Sequence, residues 1–120
     1  MNHKHNINAL VDHVHAANKR WWVDLETGAT IKRNVGELIA LVHSELSEAL
    51  EADRKGLMDD KLPHRKGIEV ELADAVIRIM DMAGGMGLDL GGAVVEKLEY
   101  NAKRADHTRE HRMGAGGKKY

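Results

Sequence analysis

The chain is 120 residues long, carries 18 Lys and Arg against 19 Asp and Glu, and contains no cysteine. That length fits one domain around one core. The missing cysteines exclude disulfides and thiolate metal sites, and a net charge of −1 gives no reason to expect wholesale nucleic-acid binding.

With no Phe, two Trp and two Tyr, the core must be filled by aliphatic residues, Ala and Met, which suit helices better than sheets. The expected fold class is all-α. The apolar runs are too short to span a bilayer. The start, Met1-Asn2-His3-Lys4-His5, lacks the apolar core of a signal peptide, so a cytoplasmic location without a membrane partner is expected.

Taken in order, Ile7, Leu10, Val11 and Val14 repeat at helical spacing and predict a first helix over residues 7–19. Residues 24–30 have turn chemistry and no period. Asn34, with Glu37 three residues on, predicts a capped second helix running to Arg54, where Gly56 offers a left-handed end. Residues 55–66 hold the single proline and read as a connection. A third helix is expected over residues 67–83, closed by Gly84-Gly85, and a fourth from the N-cap Asp89 to Arg104. Residues 1–105 are thus expected as one helical domain, and residues 106–120 as a basic, glycine-rich, mobile tail.

The second and third helices carry the chemistry. Glu45-Leu46-Ser47-Glu48 and Glu71-Leu72-Ala73-Asp74 each place two acids three apart, hence on one helix face. Two such helices packed together converge four carboxylates, which repel unless a cation sits among them. Hard divalent ions, Mg²⁺ above all, take such oxygen ligands and keep positions for water and phosphate.

On the second helix the apolar stripe is Leu38, Ile39, Val42, Leu46, Ala49 and Leu50; Glu45 falls inside that arc and Glu48 at its edge. The third helix is apolar around most of its circumference and is expected at the centre of the bundle. Its polar residues Glu71, Asp74, Arg78 and Asp81 form one narrow stripe, with an Asp74–Arg78 ion pair as its simplest structural use. On the fourth helix Lys97, Asn101 and Arg104 share a face and could hold phosphate oxygens, although basic residues in a last turn also favour the helix dipole. Trp21 and Trp22 offer aromatic planes for a nucleobase, or a seal for a core or interface.

The order Glu45-x-x-Glu48, Glu71-x-x-Asp74, Gly87-Leu88-Asp89-Leu90 and Lys97-x-x-x-Asn101-x-x-Arg104 resembles the MazG-like nucleoside triphosphate pyrophosphohydrolases of the all-α NTP pyrophosphatase superfamily. The resemblance covers residues 34–104. It implies a four-helix-bundle type of fold assembled as a homodimer or homotetramer, with Mg²⁺ or Mn²⁺ held by Glu45, Glu48, Glu71 and Asp74. It also implies hydrolysis of a (deoxy)nucleoside triphosphate to monophosphate and pyrophosphate, with Lys97, Asn101 and Arg104 on the phosphates. Glu48, nearer to water than Glu45, is the candidate general base.

Two other classes of helical protein also place acids on helix faces. A di-iron bundle needs Glu-x-x-His motifs, and no glutamate has histidine three residues on. A non-catalytic helical interaction module with an acidic docking face remains as the alternative.

Overall fold

The computed structural model describes residues 2–104 and residue 116. The expected C-terminal tail therefore lies outside the described residues apart from Gly116. Four α-helices follow in order, α1 (His3–Ala17), α2 (Val35–Lys55), α3 (Gly67–Gly85) and α4 (Leu90–Lys103), with a 3-10 turn at Lys19–Trp21. Among the described residues there is no β-strand, only the isolated antiparallel bridges Val23–Thr30 and Met58–Lys66. The all-α expectation holds, and among the described residues no helix is long and apolar enough to cross a membrane.

The helix ends follow their local chemistry. Asn34 Oδ1 accepts the Glu37 N–H at 3.0 Å and opens α2, while Gly56 closes it at φ +63°, a conformation that costs glycine no Cβ clash. Asp24 Oδ1 accepts the N–H groups of Glu26 and Thr27, which holds its carboxyl below the usual range and fixes the turn before Gly28.

Several boundaries differ from the sequence reading, among them the end of α1 at Ala17 and that of α4 at Lys103. Helix α1 begins at His3 because Asn2 Oδ1 caps the His5 N–H at 3.0 Å. Helix α3 continues through Gly84 and Gly85, where the missing side chains let other residues approach.

The chain divides into two compact units. One is Ala9–Leu88, which contains α2 and α3 and every buried apolar side chain of the described residues: Val11, Leu38, Val42, Ala49, Ala52, Ala75 and Ala83. The spacing of Leu38, Val42, Glu45, Ala49 and Ala52 along α2 marks one continuous buried face, against which α3 packs. Small residues at Ala49, Ala52 and Ala75 suit a close approach of the two backbones.

The apolar residues outside that face are open. Ile39, Leu46 and Leu50, expected within the buried stripe, are more than 40% exposed, and so are Leu72, Val76 and Ile77 of α3, the helix expected at the centre. In a single chain neither helix is surrounded.

The second unit joins residues 2–8 to residues 89–104. Asp89 caps α4 through the Gly92 N–H at 2.9 Å, accepts the Asn8 amide at 2.8 Å and pairs with Lys4 at 3.4 Å. The Asn8 and Gly92 hydrogen bonds hold the Asp89 carboxyl below the usual range. Asn8 Oδ1 in turn accepts the Gly91 N–H at 2.8 Å, so the start of α1 and the start of α4 are tied by one polar knot.

Candidate metal centre

The buried seam between α2 and α3 contains one ionisable break in its apolar run. Glu45 occupies the position that a hydrophobic residue would take in the stripe, and only 9% of it is exposed. Across the helix pair it meets the polar stripe of α3. One carboxylate oxygen from each of Glu45, Glu71 and Asp74 lies within 4.8 Å of the other two. Glu48, one turn after Glu45, is exposed and stands close enough to act on Glu71 and Asp74 through its charge.

The electrostatics record a shortage of positive charge. Burial, then hydrogen bonding with Glu45 and Glu48, then the negative charge of those two groups, push the Glu71 carboxyl up to about 8. Glu71 Oε2 is buried and receives no hydrogen bond from a described residue, an arrangement that normally costs a few kcal/mol, about 1–3, unless something fills it. Asp74 is also raised, by burial first and by the Glu45 charge second, with Arg78 pulling the other way. All the donors are carboxylate oxygens on two facing helices, the chemistry a hard divalent cation takes.

Arg78 does not make the expected i,i+4 pair with Asp74. Its Nε donates to Glu45 Oε1 at 3.0 Å, across the helix pair.

A cleft of about 480 Å³ opens beside the acids. Glu45, Asp74 and Arg78 form its charged side, and Leu38, Leu41 and Ile77 contribute apolar lining. Asn18, Trp21 and Arg33 face it from the segment between α1 and α2.

The two tryptophans take different positions. Trp22 donates its indole N–H to both oxygens of Asp81 at 3.0 Å, lies edge-on to His15 and carries Arg33 over its face at 5.3 Å. His15 Nδ1 meets Asp81 Oδ1 at 2.9 Å. Gly84 and Gly85 admit this group: a Cβ at Gly84 would lie 2.6 Å from the His15 Cβ, and one at Gly85 2.5 Å from the Trp22 ring. Trp21, by contrast, is 54% exposed, has Arg20 at 5.4 Å from its ring and lines the cleft.

Of the expected phosphate-holding residues, Lys97 and Asn101 lie on α4, in the second unit, while Arg104 follows the end of the helix in an extended conformation and so leaves the helical face expected for it. Lys97 Nζ sits 4.7 Å from the Tyr100 ring centre and the Arg104 guanidinium 5.6 Å from it. Asn101 Oδ1 is buried with no hydrogen-bond partner among the described residues, and an apolar hollow of about 370 Å³ is lined by Ala93, Val94, Lys97, Leu98 and Asn101.

The sequence marks the acids and, on the cleft's far wall, Trp21, but neither Asn18 nor Arg33. Asn18 and Arg33 belong to no periodic segment, and no local pattern marks them. The Asp81–Trp22–His15 group was partly marked by Asp81, the last member of the polar stripe of α3. No protein-family model, curated protein or solved structure matches the chain.

Proposed function

We propose that this protein is a MazG-like, metal-dependent hydrolase of (deoxy)nucleoside triphosphates, cutting between the α and β phosphates to give a monophosphate and pyrophosphate. The observation that carries the reading is the convergence of Glu45, Glu71 and Asp74 from two helices beside an open cleft, with a buried carboxylate oxygen of Glu71 left without a donor.

Mg²⁺, or Mn²⁺ in its place, would be held by Glu45, Glu71 and Asp74 with Glu48 at the open edge. Such an ion neutralises phosphate charge, orients the substrate and lowers the pKa of a bound water. Glu48, exposed where Glu45 is buried, is the acid with room to take a proton from water, and so the candidate base. Trp21 lines the cleft, is exposed apart from Arg20 over its ring, and is the better plane for a nucleobase; Trp22 is committed to Asp81. Lys97, Asn101 and Arg104 are proposed to meet the phosphates.

The half-exposed Ile39, Leu46, Leu50, Leu72 and Val76 support assembly as a homodimer or homotetramer. They also favour, as the second reading, an oligomeric interaction module whose acids serve for docking. A panel of canonical and modified (d)NTPs, with Mg²⁺, Mn²⁺ or EDTA and pyrophosphate as the readout, separates the two. The hydrolase releases pyrophosphate only with metal; a docking module releases none under any condition.

A further inference from the structure

We infer that Arg78 has two alternating duties in the site proposed above: it neutralises Glu45 while the acids hold no cation, and it grips the polyphosphate anion once a cation is bound. The inference rests on the hydrolase reading and concerns a residue that reading leaves without a role.

The geometry supports both halves. Arginine–carboxylate pairs are frequently bidentate, with two parallel N–H···O bonds. Arg78 uses Nε alone, at 3.0 Å from Glu45 Oε1. Its terminal nitrogens are hydrogen-bonded to no described residue, its side chain is 41% exposed, and it lines the cleft beside Asp74. A positive group tied by one bond to a buried acid, with the rest of its donors uncommitted at the edge of a cavity, is placed to engage a second anion.

The charge balance gives the direction of each effect. Arg78 is the cation that acts on Asp74, against the charges of Glu45, Glu48 and Asp59. An incoming metal ion must share Glu45 with it and tolerate its charge, so Arg78 opposes metal binding in the absence of substrate. A polyphosphate reverses this, because its oxygens accept the terminal N–H groups and its charge relieves the repulsion between guanidinium and metal. A purely structural arginine would weaken both ligands when removed, whereas the two-duty arginine moves them in opposite directions.

The experiment uses the full chain, with Mn²⁺ titrated alone by calorimetry and then an α,β-methylene nucleoside triphosphate titrated in saturating Mn²⁺. Arg78→Gln is expected to bind Mn²⁺ about threefold or more tighter and the nucleotide analogue about tenfold or more weaker, the size of one charge-assisted contact. Arg78→Lys keeps the charge but not the fork, so its Mn²⁺ affinity should stay within about twofold of wild type while the analogue still binds several-fold more weakly. Should Arg78→Gln fail to fold by circular dichroism, Arg78→Lys decides alone, and unchanged analogue affinity in it overturns the inference. With wild type binding Mn²⁺, an Arg78→Gln variant whose Mn²⁺ affinity is unchanged or reduced, or whose analogue affinity is unchanged, also overturns it. Wild type that binds no Mn²⁺ overturns the hydrolase reading, and this inference with it.

Discussion

Glu71 is the residue on which the condition of the site is most readable. Its carboxyl, raised from 4.5 to about 8, holds a proton in the folded chain at pH values where the unfolded chain has released it. Between those two values the folded state binds more protons than the unfolded state, so the metal-free protein loses stability as pH rises through the window. Thermal unfolding in EDTA should therefore give a lower Tm at pH 8.5 than at pH 6, and Glu71→Gln should reduce that difference by removing the titrating group. An unchanged difference in the variant would show that the site acids are not its source. The same proton must leave before a cation can bind, so Mn²⁺ affinity is expected to climb with pH up to about 8 and then level. Its neighbours give a second test. Asp74→Asn or Glu48→Gln removes charge at nearly constant volume and is expected to abolish turnover while leaving helical content intact; full activity in either would displace the site.

At the scale of the element, α3 does most of the positioning. One stripe of this helix supplies Glu71, Asp74 and Arg78 to the acidic seam and Asp81 to the Trp22–His15 group. Its last turn carries two glycines, and replacing a glycine by alanine inside a helix ordinarily stabilises by roughly 1 kcal/mol. Gly85→Ala should do the reverse, because the added Cβ would lie 2.5 Å from a Trp22 ring already fixed by Asp81. A lower melting temperature for Gly85→Ala is the expected result, and a higher one would mean that the ring moves freely.

These glycines also show where the sequence was legible and where it was not. The caps at Asn34, Gly56 and Asp89 and the spacing of the acids are local features, readable from residues within one turn of each other. Gly84 and Gly85 look like a stop signal locally, but the helix runs through them, and His15 and Trp22, some sixty residues away, occupy the space that their side chains would take. Arg78 is the same lesson in the site. Spacing offered it Asp74, while packing gave it Glu45, whose buried charge has more to gain from a partner.

For the whole molecule, the apolar inventory argues for assembly. The described residues bury seven hydrophobic side chains, four of them alanines, while Ile39, Leu46, Leu50, Leu72 and Val76 remain 45–60% exposed on the two helices that build the site. A second copy covering this surface would complete the burial that one chain leaves open. Light scattering at micromolar concentration should report a dimer or a dimer of dimers, and a fully active monomer would contradict that expectation.

The role proposed for the Glu45–Glu71–Asp74 group, with a divalent ion, is to direct cleavage between the α and β phosphates. It is tested most directly by the ³¹P spectrum of a triphosphate substrate incubated in Mg²⁺ with wild type and with Asp74→Asn. Monophosphate and pyrophosphate signals should grow together with wild type, and neither should appear with the variant. Diphosphate and orthophosphate as products, or equal turnover by the variant, would contradict it.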